Sequence, residues 1–290
     1  MKTPPLRTVG LVAHRDRPEA HDLAARAAKW LGDRGITVRV PAADAEAIGL
    51  GALAGGDGGA FVGGLDLVIT LGGDGTMLRA VDMAYEDQVP VLGINVGQMG
   101  YLTEVEPDDL DRALERLAAG DYAVLERMVL EVDVASSGPA GGRWWALNEA
   151  VLEKVRTGRL ARLAVDINGT YFTTYAADGV IIATPTGSTA YSFSARGPIV
   201  SPRHRCLLLT PVSPHMLFDR SLVLDADEEL RFRVEDDHSV ALTLDGQVRG
   251  ELSAGDTVTC TGGPRPARVV TFGPRDFHQI LKAKFGLADR

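Results

Sequence analysis

An aspartate inside a glycine-rich turn is the first place where residue types and spacing suggest chemistry. Gly72-Gly73-Asp74-Gly75-Thr76 follows an apolar run, Leu65 to Leu71, and precedes a helical pattern that begins at Thr76. Free N–H groups and the dipole at a helix N-terminus favour phosphate. A carboxylate at that position is repelled by such a ligand unless a metal ion or a transferable proton gives it a task. Asp74 can accept a proton from an attacking hydroxyl or help hold a divalent metal, and phosphoryl transfer uses both roles. A Walker loop is excluded because no Lys-Ser or Lys-Thr follows at the required distance, and the glycine spacing does not match a dinucleotide fingerprint. The structural alternative, glycines that merely allow tight packing, stays open for so short a motif. Gly55-Gly56-Asp57-Gly58 repeats the letters with no strand before it and no helical pattern after it.

A second stretch, Asp178 to Ser194 (DGVIIATPTGSTAYSFS), runs from a very apolar strand into a loop with six small hydroxyl residues between Thr184 and Ser194. Such residues are ordinary turn and cap vocabulary. They and the loop amides can equally receive the phosphates or ribose hydroxyls of a nucleotide. Asn148-Glu149 interrupts an otherwise apolar strand expected over 144–152. The pair reads either as a solvent-facing step or as hydrogen-bond acceptors for vicinal ribose hydroxyls. Asp245-Gly246-Gln247 reads as a turn after a strand at 240–244, and His204 and His215 as structural or solvated residues.

The elements that must position these residues fall into two textures. Up to about Asp121, apolar runs alternate with helical spacing: strands at Thr8 to Ala13, Ile36 to Val40, Leu65 to Leu71 and Val89 to Asn95, and helices from Pro18, Thr76 and Pro107. Residues 42–64 are rich in Ala and Gly and read as a loop with room for a short helix. Beyond 121 come closely spaced strands and turns, including an Asn168-Gly169 hairpin. The expected fold is therefore an α/β N-terminal domain with a parallel sheet (1–121) and a β-rich, sandwich-like domain (122–272). A C-terminal helix (273–290) is expected to pack back on the first domain.

Composition narrows the class. A 290-residue chain with 45% hydrophobic and 24% charged residues can bury a substantial core without crosslinks. Net charge −9 and a pI near 5.2 argue against broad binding to nucleic acid or an anionic membrane. Cys206 and Cys260 have no metal-ligand spacing, and no run approaches the roughly 18 apolar residues of a membrane span. The expectation is a cytoplasmic protein with reduced thiols.

Together, Gly72 to Thr76, Asn148-Glu149, Asp178 to Ser194 with Gly197-Pro198-Ile199, Pro211 to His215 and Asp245-Gly246-Gln247 resemble the NAD kinase family over most of the chain. The TPTGSTAYS run is the specific part, because lipid kinases of the diacylglycerol and sphingosine type share GGDGT. The resemblance implies transfer of the terminal phosphoryl group of ATP, with a divalent metal such as magnesium, to the 2′-hydroxyl of the adenosine ribose of NAD. It implies Asp74 as proton acceptor, with Gly72, Gly73 and Thr76 forming the phosphate turn. Gly75, Asn148, Glu149, Asp178, Thr189, Ala190, Tyr191, Ser192, Phe193, Ser194 and Gln247 are implied at the dinucleotide, with Arg79 and Arg159 as basic positions of the same site. It further implies homodimers or homotetramers. Four departures stand out: Ala176 where a larger polar residue is usual, so that any ligand contact there comes from backbone; Met216 to Ser221 in place of a Ser-rich, Arg-Pro pattern; Glu149 in place of the common Asp, which lengthens the carboxylate arm by one methylene; and Gln98 where a basic residue is frequent. Two rivals remain. A lipid kinase lacks support from any membrane-facing segment, and the presence of Asp74 argues against a non-catalytic NAD(P)-binding module.

Overall fold

The computed structural model describes residues 5–97, 100–235, 238–274 and 276–287. The chain divides into two compact units, residues 1–126 with 267–290, and residues 127–266. The first opens with β1 (Thr8–Ala13), α1 (Pro18–Gly32), β2 (Thr37–Arg39), α2 (Ala42–Ala47), α3 (Gly59–Val62), β3 (Leu67–Gly72), α4 (Asp74–Ala84), β4 (Val91–Asn95), α5 (Leu110–Ala118) and β5 (Ala123–Arg127). The second holds β6 (Leu130–Ala135), β7 (Gly142–Ala146), β8 (Glu149–Lys154), β9 (Ala161–Ile167), β10 (Thr170–Ala177), β11 (Gly179–Ala183), α6 (Tyr191–Ser194), β12 (Cys206–Val212), β13 (Leu222–Asp225), β14 (Leu230–Val234), β15 (Val240–Leu244), β16 (Gln247–Leu252) and β17 (Thr257–Gly262). The chain then returns to the first unit with β18 (Ala267–Thr271) and α7 (Phe277–Phe285).

The first unit is built on a sheet of order β2-β1-β3-β4-β18-β5, in which β2, β1, β3, β4 and β18 pair in parallel. β3 is buried along its whole length, as an apolar run with helices on both sides requires. Pro18 starts α1, where its fixed φ suits the first turn. The helix buries Ala20, Leu23, Ala24, Ala27 and Leu31 at helical spacing. The sheet order has a functional consequence. From β1 the chain moves outward to β2, and from β3 it moves the other way to β4, so the carboxyl ends of β1 and β3 flank a topological switch point, where open α/β sheets bind ligands.

The second unit consists of two antiparallel sheets, β10-β9-β14-β17-β6-β7 and β13-β12-β11-β8-β15-β16. Alternate residues of both sheets, among them Val132, Leu163, Phe232, Leu152, Ile182 and Leu242, form one core, the arrangement of a sandwich. Ile181 and Ala183 of β11 point to the opposite face, where they pack with Val151, Leu208 and the loop residues Ala195 and Val200. Burial on both faces explains why β11 is so apolar. Asn168 and Gly169 both have positive φ, as their hairpin turn requires.

Three expectations are corrected. Residues 144–152 are not one strand: β7 and β8 belong to different sheets, because the amides of Leu147, Asn148 and Glu149 bond the Asp245 carboxylate and the chain turns there. Residues 42–64 hold two short helices where the sequence left room for one, and α2 and α3 bury Asp44, Ala45, Phe61 and Val62. The end of the segment expected to be β-rich over 122–272 forms β18 and joins β4 of the parallel sheet, because β periodicity carries no information about which sheet a strand enters.

Candidate active site

The β1–β3 switch point opens into a cavity of about 530 Å³ lined by His14, Arg15, Asp16, Arg17, Gly73, Asp74, Gly75, Thr76 and Arg79. Gly73 caps α4, which starts at Asp74, two residues earlier than the spacing predicts. Thr76 and Met77 donate to the Gly73 carbonyl, leaving the amides of Asp74 and Gly75 as helix-end donors, and an anion is favoured at such a terminus. Gly72 is required because a Cβ there would overlap the buried Thr76 side chain. Three arginines and a histidine therefore share one cavity with the amino end of an eleven-residue helix. That arrangement is suited to phosphate.

Asp74 itself is tightly held. Its Oδ2 accepts the Tyr101 amide at 2.8 Å, and its Oδ1 accepts those of Leu102 and Thr103 at 3.0 and 3.4 Å. A Cβ on Gly100 would overlap Oδ1. Asp74 thus fixes the segment after β4 as well as lining the cavity. A carboxylate has about four lone-pair sites, so Oδ2 keeps room for one more hydrogen. The Tyr101 phenol is pushed up in pKa by burial and then by the Asp74 charge. Gln98 lies outside the described residues.

Several cavity residues carry no motif. Arg17 donates to the Val96 carbonyl. Arg79 donates to the Ala13 carbonyl and to Asp44 Oδ1, both at 2.8 Å, and Arg15 Nε donates to the same Oδ1 at 2.8 Å. A usable signal existed for His14 to Arg17, because they directly follow the first strand of a parallel sheet. Asp44, in an Ala-rich stretch far along the chain, gave none.

In the second unit, Asn148 and Glu149 sit where the chain changes sheets, pinned by Asp245. The Asp245-Gly246 turn is therefore more than an ordinary connection. Both its residues have positive φ, and it aims a carboxylate at three consecutive amides. Glu149 is only 7% exposed, its Oε2 has no hydrogen-bond partner among the described residues, and its pKa is pushed up to about 8 by burial and by the Asp245 charge, against a donation from the Tyr191 amide. At neutral pH Glu149 is therefore mostly a neutral acid that can donate a hydrogen bond, whereas the sequence reading took it for an acceptor.

The hydroxyl loop is stapled to the same turn. Thr184 donates to the Leu147 carbonyl at 2.6 Å, its amide to the Asn148 carbonyl at 2.8 Å, and a Cβ on Gly187 would overlap the Asn148 backbone. Ser188 bonds Pro185 and Val200, and Ser192 meets Thr210. Thr184, Ser188 and Ser192 are fully buried, so these three hydroxyls shape the loop. Ala190, Thr189 and Ser194 are at least partly accessible, and Tyr191 and Phe193 are exposed. Tyr191 spans the site: its amide meets Glu149, and its phenol is raised in pKa by burial and by Glu153 and Asp178. Asp178 forms an ion pair with Lys154. Gln247 pairs with Leu244 at the Asp245 turn. Ala176 accepts the His215 amide through its carbonyl, and the exposed Arg159 follows a turn and donates its amide to the Arg156 carbonyl.

Comparison with known proteins decides the lineage. Residues 60–122 match the ATP-NAD kinase N-terminal domain and residues 147–272 the ATP-NAD kinase C-terminal domain. The chain belongs to the NAD kinase family. It is 42% identical over 279 residues to an NAD kinase of Heliobacterium modesticaldum, covering 96% of this chain and 98% of that one. It is 37% identical to one of Syntrophotalea carbinolica, covering 98% and 100%. A yeast NADH kinase solved with NADH superposes with a TM-score of 0.89 at 27% identity, covering 99% of this chain and 90% of that one. An NAD kinase of Archaeoglobus fulgidus solved with ATP shares the fold, with a TM-score of 0.70 at 24% identity over 96% and 97% of the two chains. NAD kinases are phosphotransferases, and the α/β unit and antiparallel sandwich described above are their fold.

Proposed function

We propose that this chain transfers the terminal phosphoryl group of ATP to the 2′-hydroxyl of the adenosine ribose of NAD, giving NADP and ADP. The 2′-oxygen bonds to the γ-phosphorus, the bond from that phosphorus to the β,γ-bridging oxygen breaks, and the hydroxyl proton passes to Asp74. The observation that carries this reading is the Asp74 carboxylate in a cavity of arginines at a helix N-terminus. Positioning and charge neutralisation supply most of the acceleration. Asn148, Glu149, Asp178, Gln247 and the segment Thr189 to Ser194 bind the dinucleotide in this reading, with Arg79, Arg159 and the Ala176 backbone as further contacts.

Magnesium would come with the triphosphate, held by phosphate oxygens, water and one or two carboxylates. The cavity fits that mode, since Asp16 lines it beside Asp74 and would hold the ion, leaving the open side of Asp74 for the hydroxyl. The ion would neutralise charge on the transferred group. We also read the protein as a cytoplasmic homodimer or homotetramer. The free buried thiols of Cys206 and Cys260 fit a reducing compartment, and the exposed Tyr171, Phe172, Leu217 and Phe218 offer apolar surface for self-association. A coupled assay of purified protein with NAD, ATP and magnesium is expected to yield NADP. Dinucleotide binding with no product from any phosphoryl donor would overturn the reading in favour of a non-catalytic module.

A further inference from the structure

We infer that Asp44 is a positioning residue for nucleotide phosphate, a buried carboxylate that holds Arg15 and Arg79 together in the switch-point cavity. The inference rests on the kinase reading for the identity of the nucleotide. Asp44 is 0% exposed, and its Oδ1 accepts Arg15 Nε and Arg79 Nη1, each at 2.8 Å. Both arginines line the cavity. Two guanidinium groups on one oxygen would repel each other without the carboxylate between them, and with it the trio keeps a net positive charge toward the cavity. Arg15 uses only Nε for this pair and is half exposed, so its terminal amino groups can donate to a ligand. Arg79 is anchored a second time by the Ala13 carbonyl, which fixes its plane.

The second carboxylate oxygen, Oδ2, is buried and has no hydrogen-bond partner among the described residues. A fold gains nothing from an unmatched buried carboxylate oxygen. In a phosphate site it has a use, because a guanidinium can swing onto it and form a two-pronged pair while its neighbour turns to the anion. Asp44 touches no substrate in this account and acts through the arginines. The phosphate has two possible sources, the ATP donor or the pyrophosphate of NAD.

Calorimetric titration of the full chain with ATP, and separately with NAD, tests the assignment without requiring turnover. Asp44→Asn is expected to weaken one or both ligands about tenfold while the thermal transition remains cooperative. In the Arg15→Ala background the same substitution should cost clearly less than in the parent, because its effect through Arg15 is already gone and only that through Arg79 remains. Loss for ATP alone assigns the donor, and loss for NAD alone assigns the dinucleotide. Unchanged affinity for both, or simple additivity with Arg15→Ala, overturns the proposal. Should Asp44→Asn fail to fold, Arg15→Ala alone decides, since unchanged affinity for both ligands in that variant is equally fatal. A wild-type protein that binds either ligand but makes no NADP would sink the kinase reading and leave the role of Asp44 standing.

Discussion

Asp74 and Asp245 have the same local design and opposite surroundings. Each precedes a glycine, and each carboxylate accepts three consecutive amides from a distant segment: residues 101 to 103 for Asp74, residues 147 to 149 for Asp245. Such anion-to-amide clusters are strong and rigidify the chain they hold. The difference lies on the far side of each carboxylate. Asp74 lines a cavity with arginines and a helix N-terminus, whereas Asp245 faces the buried Glu149 and raises its pKa. A shared hydrogen-bond pattern thus holds a cavity-lining carboxylate in one unit and the neighbour of a buried acid in the other, and the environment makes the distinction.

The largest expected effect breaks this symmetry outright. Asp74→Asn should lower kcat by about 10³, within the range of a lost general base, with KM for NAD changed only several-fold in steady-state assays. Equal loss of binding and folding would make Asp74 a second Asp245. Asp245→Asn keeps the positive-φ turn that Asn tolerates but loses charge-assisted bonds, so it should cost about 1–3 kcal/mol in denaturant unfolding. Its kinetic signature should be a raised KM for NAD with kcat largely kept, the reverse of Asp74→Asn.

Glu149 sharpens the contrast through pH. Its pKa is about 8 in the native state against an ordinary 4.5, so between those values the native protein holds an extra proton and stability falls as pH rises. Glu149→Gln should remove that slope, gaining on the order of 3 kcal/mol over the parent near pH 9 and almost nothing near pH 4. Identical unfolding curves for the two proteins across that range would contradict the buried, proton-holding acid. The smallest effect belongs to Asp57→Asn in the Gly55 to Gly58 stretch. Asp57 is exposed and should change stability by less than about 0.5 kcal/mol and turnover not at all, which confines the meaning of the GGDG letters to the turn after β3.

Local periodicity and turn chemistry made much of this protein legible from its residues alone. The run at Leu65 to Leu71, the glycines that follow it, the helix after them and the Asn168-Gly169 hairpin are each encoded within a few neighbouring positions. The hydroxyl loop was legible as a special segment, although Thr184, Ser188 and Ser192 proved to shape it from within. What tertiary structure alone decided are the long-range pairings: Asp245 on Asn148-Glu149, Asp44 on Arg15 and Arg79, and β18 beside β4. These depend on which distant amides or guanidinium groups a carboxylate meets, and on which sheet edge a strand finds open. Neither burial nor charge neighbours are written in spacing, so the pKa of Glu149 and the grip on Asp74 emerged only once the chain was folded.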